Sequence, residues 1–316
     1  MDALSAFAPR PVCSDAERRA AVWAHDELRA RGHEAWVETH WVRPQLALAL
    51  ALGCALAALG GLVAIGAPVA GLVVAAVGAI SLLVDVAGRT SPLRLLLPRR
   101  ATQVVLVAPA ARAGRKAAVD LLVVARTDVP RGGVARRLAR VPGGLWWLVL
   151  CALAVAAAAA ARVAGADGAV LGAAQLVPTV ILVLAVGGAL DAATAPVGDG
   201  RGEDAALAAA PALHDELVRD PPPGIAPGLV LAGPDALRAH LRRERLDPRR
   251  TALLHVRAGD VRSRHPQWLA AAATAGLPAR RRGPRGLPAA LAPPESAGKL
   301  ARGLEPHHSG FASPTK

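Results

Sequence analysis

The sequence predicts an α/β domain with a mostly parallel sheet, interrupted by two transmembrane helical hairpins that supply four spans. Three observations carry that expectation. Apolar blocks at 45–66, 67–88, 143–163 and 168–190 each approach the ~20 residues that cross a bilayer as a helix. In the rest of the chain, short β-branched runs alternate with amphipathic stretches, the pattern of a parallel sheet covered on its faces. The hydrophobic fraction of 53% exceeds the roughly 45–50% usual for soluble chains.

The elements follow in order. Ser14-Asp15-Ala16-Glu17 has the spacing of a capping box, so a helix starts there and runs to Arg31, with Gly32 as its left-handed stop. Residues 33–42 alternate, with Ala35, Val37, Thr39 and Trp41 on one face, which is a strand signal. No charged residue lies between Gln45 and Val84. Gly60-Gly61 and Ala67-Pro68 offer a turn there, making this stretch a hairpin. Residues 102–108 and 119–125 read as neighbouring strands. Trp146 and Trp147 sit at the entrance of the second hairpin, where indoles favour the interface, and 162–168 breaks it. After it come a helix at 202–219, with Leu207, Ala210, Leu213 and Leu217 on one side, a strand at 228–232, a helix at 234–243 and a strand at 251–257. The soluble domain therefore falls on 1–43, 91–141 and 193–290, and the hairpins on 44–90 and 142–192. A poorly ordered tail is expected at 291–316, where Pro, Gly and Arg rise and periodicity fades.

Charge orients the chain and narrows its partners. Arg43 precedes the first hairpin, Arg89, Arg94, Arg99 and Arg100 follow it, and Arg136, Arg137 and Arg140 precede the second. The hairpin tips carry only Arg162 and Asp167. By the positive-inside rule both termini and the soluble segments face the cytoplasm of a cell-membrane protein. The net charge of +13 is almost all arginine, since Lys116, Lys299 and Lys316 are the only lysines. Arg280-Arg281-Arg282 with Arg285 reads as a solvated loop, with contact to anionic headgroups as the alternative. No nucleic-acid motif accompanies it, so a nucleic-acid partner is not expected. Asp2 and the amphipathic stretch after it predict no cleavable signal peptide.

Other residues read more plainly. Cys13, Cys54 and Cys151 form no spaced pair, which excludes a disulfide framework or a Cys-rich metal site. Asp85 and Asp191 lie near span ends and Gln175 is the one strongly polar interior residue, so the spans form an anchor and not a transporter. Gly143-Gly144, Gly187-Gly188 and the alanines of 156–161 would let helices approach closely, for bundle packing or a homo- or hetero-oligomer. His25, His33 and His40 read as surface residues without a carboxylate at ligand spacing. His255 reads as a core or edge histidine.

Taken in order, five segments resemble the co-catalytic two-zinc aminopeptidase family, which includes leucyl aminopeptidase and glutamate carboxypeptidase-like metallopeptidases. Arg10-Pro11-Val12-Cys13-Ser14-Asp15-Ala16-Glu17 resembles the family's opening. Val123-Val124-Ala125-Arg126-Thr127-Asp128 resembles the strand end Ala-His-x-Asp that presents the first zinc ligand. Residues 197–206, around Asp199, resemble the loop of the bridging aspartate. Residues 229–236 resemble the strand end bearing a Glu-Glu pair, and 253–259 the strand delivering a further aspartate.

The departures decide what the resemblance implies. Arg126 stands at the first His ligand, and a guanidinium has no lone pair to give a metal. Pro234 stands at the general base, so no carboxylate is placed to take a proton from water. Val256 or Arg257 replaces a further carboxylate. Asp199 matches the bridging ligand, Asp235 is a shorter version of the second Glu, and Asp128 matches the residue that orients the missing His. The resemblance thus implies a degenerate, catalytically inactive domain without a cofactor, in which Arg126 pairs with Asp199. The alternatives are an active membrane-bound metallopeptidase holding zinc on Asp128, Asp199, Asp235, His307 or His308, and a non-enzymatic membrane scaffold. The bilayer is the expected partner, with a peptide-like ligand following from the resemblance.

Overall fold

The computed structural model describes residues 4, 6–109, 119–133, 143–219, 224–247, 250–257, 260–263 and 279–281. The expected tail at 291–316, with His307 and His308, and the residues Arg282 and Arg285 lie outside the described residues. In chain order the elements are α1 (Asp15–Ala30), β1 (Ala35–Val42), α2 (Leu46–Val63), α3 (Pro68–Val86), the short α4 (Pro92–Leu95), β2 (Arg100–Val107), β3 (Val119–Ala125), α5 (Gly144–Val163), α6 (Ala169–Thr194), α7 (Arg201–Arg219), β4 (Ile225–Ala232), α8 (Pro234–Arg243), β5 (Thr251–Arg257), β6 (Asp260–Ser263) and β7 (Ala279–Arg281). They divide between two compact units. One gathers Met1–Val42, Ala101–Pro130 and Asp199–Lys316, and the other Arg43–Arg100 and Arg131–Gly198.

The first unit is a sheet covered on both faces. Its strand order is β1-β2-β4-β3-β5, continued past β5 by the short β6 and β7. The mostly parallel sheet predicted from the sequence is instead mixed. β3 runs parallel to β4 and to β5, but β2 runs antiparallel to β4 and β6 antiparallel to β5. The reason lies in the links. Helices α7 and α8 return the chain for parallel pairing, whereas only two residues separate β5 from β6, far fewer than the dozen or more that a parallel crossover requires.

Period-two alternation sorts the core. Val105, Val123, Ala125, Leu229 and Leu231 pack on one face with Leu28 of α1 and Leu207, Leu213 and Leu217 of α7. Val104, Leu106, Leu122, Val124 and Val230 pack on the other with Ala236 and Leu237 of α8. Each buried Leu or Val of this kind contributes about 1.5–3 kcal/mol by leaving water. The chain leaving β3 therefore returns through α7 on one face, and the chain leaving β4 returns through α8 on the opposite face. Ser14 caps α1, its Oγ accepting from the Glu17 N–H at 3.1 Å. Gly32 takes the left-handed φ of +86° beyond the helix end.

The second unit is built from α2, α3, α5 and α6, which are all long and apolar enough to cross a membrane. Close approach of α2 and α3 rests on glycine. A Cβ on Gly60 would lie 2.2 Å from the Ala75 nitrogen, one on Gly71 2.3 Å from the Ala64 nitrogen, and one on Gly78 2.5 Å from the Ala57 nitrogen. Gly187, expected to serve the same purpose, meets nothing within 4 Å. Gln175 of α6 is buried and its Nε2 donates to the Gly61 carbonyl at 2.7 Å. Its role is a tie between helices. Asp85 accepts from the Ser91 hydroxyl at 2.6 Å and from its N–H at 3.3 Å, which closes the turn after α3.

Candidate functional site at the carboxyl ends of β3 and β4

Neighbouring parallel strands whose connections leave to opposite faces open a crevice beyond their carboxyl ends, the usual ligand position of an open α/β sheet. Here that position lies between β3 and β4, and polar side chains converge on it. Arg126, Thr127 and Asp128 follow β3, and Gly233, Pro234 and Asp235 follow β4. Because β2 is antiparallel, its start brings Thr102 to the same edge.

The crevice is filled by the protein's own ions. Arg126 donates from Nε to Asp128 Oδ1 at 3.0 Å and from Nη2 to Asp128 Oδ2 at 2.7 Å. This two-pronged geometry matches guanidinium to carboxylate and makes such pairs strong. Burial works against the Arg126 charge, but Asp128 first, then Glu203 and Asp235, outweigh it and hold its pKa above the ordinary value. A cation thus stands among three carboxylates, and that cation is a side chain.

Behind Asp128 lies Glu17, which is 1% exposed. Its Oε1 accepts from Thr102 Oγ1 at 3.0 Å and Thr127 Oγ1 at 3.3 Å, and its Oε2 from the Cys13 N–H. Burial, and then the charge of Asp128, push the Glu17 carboxyl up to about 7. Gly233 makes room for both acids, since a Cβ there would lie 3.2 Å from Asp128 Oδ1 and 3.3 Å from Glu17 Oε1. Arg10 is fully buried and pins the loop after β3, donating to the Thr127 carbonyl at 3.1 Å, to the Leu4 carbonyl at 3.1 Å and to Asp204. Beside this network a shallow cavity of about 250 Å³ is lined by Cys13, Ser14, Glu17, Arg18, Thr39 and Thr102.

The predicted site residues separate. Arg126, Asp128 and Asp235 come together. Asp199 does not: its side chain is 76% exposed and its ion-pair partner is Arg201 at 3.8 Å. The expected Arg126–Asp199 pair is therefore replaced by Arg126–Asp128, because a residue two positions away offers a carboxylate without any loop having to close. Pro234 occupies the first turn of α8, where the missing N–H costs nothing. Asp235 pairs with Arg238 at 3.7 Å. These residues do not fit a two-zinc centre, which needs a bridging carboxylate and several neutral or anionic donors around the ions.

Two features of this region are not legible in the sequence. Glu17 was legible only as a helix cap, and its side chain instead reaches the strand ends. His40 was expected at the surface without a nearby carboxylate. It is 6% exposed, and Glu38, two residues earlier on the same strand face, contacts it together with His240 of α8. The Glu-x-His spacing on a strand was the available signal. Compared with protein-family models, curated proteins and solved structures, the chain matches none of them.

Proposed function

We propose that this chain is a multi-pass membrane protein whose α/β unit is laid out like a zinc aminopeptidase but lacks a hydrolytic centre and acts by binding. The observation that carries this reading is the Arg126–Asp128 pair at the end of β3. A permanent cation there repels divalent ions, and Asp128, which would orient a metal-binding imidazole, is committed to the guanidinium. The end of β4 offers Pro234 in place of a base. The reading is also supported by the position of the quoted motifs at the carboxyl ends of adjacent parallel strands.

The four apolar helices serve as the anchor. Ile65, Val69, Val73, Ile80, Val170 and Leu184 are each more than half exposed, a surface suited to lipid and costly in water. The arginines flanking the hairpins support a cytoplasmic side for the α/β unit and both termini in this reading, by the positive-inside rule.

The test is hydrolysis of a chromogenic aminoacyl substrate by the detergent-purified chain with zinc in excess. No release above the protein-free rate is expected. Zinc-dependent release that Asp235→Asn abolishes would support instead the active arrangement on Asp128, Asp199 and Asp235.

A further inference from the structure

We propose that Glu38, His40 and His240 form a binding site for one divalent transition-metal ion, at a place unrelated to the β3–β4 crevice. The donors come from two elements. Glu38 and His40 are two apart on β1 and so point to one side of the sheet, while His240 lies in the last turn of α8. All three ligand atoms lie within 4.8 Å of one another. Glu38 Oε2 stands 3.0 Å from His40 Nε2 and 3.3 Å from His240 Nδ1. Four-coordinate zinc with bonds of about 2.0–2.1 Å holds its ligands about 3.3 Å apart. The two edges to Glu38 already have about that length, the third lies within 4.8 Å, and binding requires each imidazole to present the lone pair of its facing nitrogen and turn it toward the ion.

The surroundings add to the case. Both imidazoles are buried, at 6% and 8% side-chain exposure, and Glu38 remains 22% exposed, which leaves a path from solvent. The second carboxylate oxygen accepts from Trp36 Nε1 at 3.4 Å, an outer contact of the kind that orients ligands. The two rings meet edge to face with centroids 5.9 Å apart, so neither blocks the other's nitrogen. Two nitrogens and one oxygen select borderline ions such as zinc, and reject magnesium and calcium, which require oxygen ligands. Three protein donors leave one position for water or a ligand group. The bound ion would also staple β1 to α8.

The experiment is zinc titration of the full-length protein, purified in detergent and stripped with chelator, read by bound metal per chain and by thermal shift. One zinc per chain and a rise of about 5–10 °C at a hundredfold excess over Kd are expected, with magnesium without effect. Glu38→Gln, which keeps the volume and an acceptor, should weaken zinc more than about 100-fold, and His240→Asn likewise, each relative to the parent and with its own zinc-free protein as the thermal reference. Cys13→Ser and a His307→Ala/His308→Ala double variant should bind as the parent does. The proposal is overturned if the parent binds no zinc, or if Glu38→Gln and His240→Asn bind it undiminished. Either outcome leaves the reading of the β3–β4 crevice standing.

Discussion

Arg126 donates from Nε and Nη2 to the two carboxylate oxygens of Asp128, two residues further along the chain at the end of β3. The arrangement closes the end of β3 with a two-pronged ion pair. Asp128 is buried, and its neighbour Glu17 is a second buried acid, so the guanidinium neutralises the crowding that two carboxylates create.

Removing that cation should therefore be costly. Arg126→Ala leaves Asp128 uncompensated, and a broken buried pair costs more than a surface one. The Arg126 side chain is 22% exposed, so water recovers part of the loss. The expected destabilisation is about 2–3 kcal/mol. Arg126→Lys should recover little of it, because a single ammonium cannot form both bonds. Denaturant melts of the purified variants measure this directly.

Glu17 gives the α/β unit a pH dependence of known sign. Its folded carboxyl is pushed up to about 7, by burial first and then by Asp128, against an ordinary 4.5. The folded state therefore holds the proton more tightly than the unfolded one. That stabilisation is complete below about 4.5 and is lost as pH rises through about 7. At about 1.4 kcal/mol per pH unit, the loss is about 3 kcal/mol. Glu17→Gln stays neutral, so its stability relative to the parent should rise by that amount between pH 4.5 and pH 8. Melts of both proteins across this range check it, and a constant difference would count against the burial argument.

His214 should act in the opposite direction. Burial first, and then His33 with its ring 5.0 Å away, push its pKa down to about 4, while Asp215 partly opposes them. An unfolded histidine near 6.5 takes up a proton that the folded one refuses. The stabilisation is present above about 6.5 and lost as pH falls through about 4. Between pH 7 and pH 4 the parent should lose about 3 kcal/mol more than His214→Gln, as read from paired melts.

Glycines decide the packing of the first hairpin. Gly60→Ala and Gly78→Ala force a Cβ against backbone at 2.2 Å and 2.5 Å, and backbone cannot move aside as a side-chain tip can. Each should destabilise the detergent-solubilised protein by more than about 2 kcal/mol. Gly187→Ala meets open space and should change little. Equal melting temperatures for all three variants would contradict this packing.

Much of this architecture was legible because local patterns and tertiary demands agree. The capping box at Ser14, the stop at Gly32, the apolar blocks and the β-branched runs each produced the element expected of them. The sheet's direction was not legible, because alternation of strands and helices says nothing about β2, which pairs with β4 across more than a hundred positions of sequence. The site was half legible. Arg126, Asp128 and Asp235 were expected near one another, but the partner of Arg126 was set by the two-residue spacing to Asp128 and not by the loop carrying Asp199. Glu17 and His40 were read as a cap and a surface residue because burial of a polar side chain depends on contacts with Thr102, Thr127 and His240, which no local window contains.

The most direct test of the central claim is the number of tightly bound metal ions per chain, measured on purified protein and on an Asp199→Asn/Asp235→Asn variant. A side-chain cation at the end of β3 predicts at most one ion per chain, the same in both proteins. Two ions in the parent, lost in the variant, would contradict it.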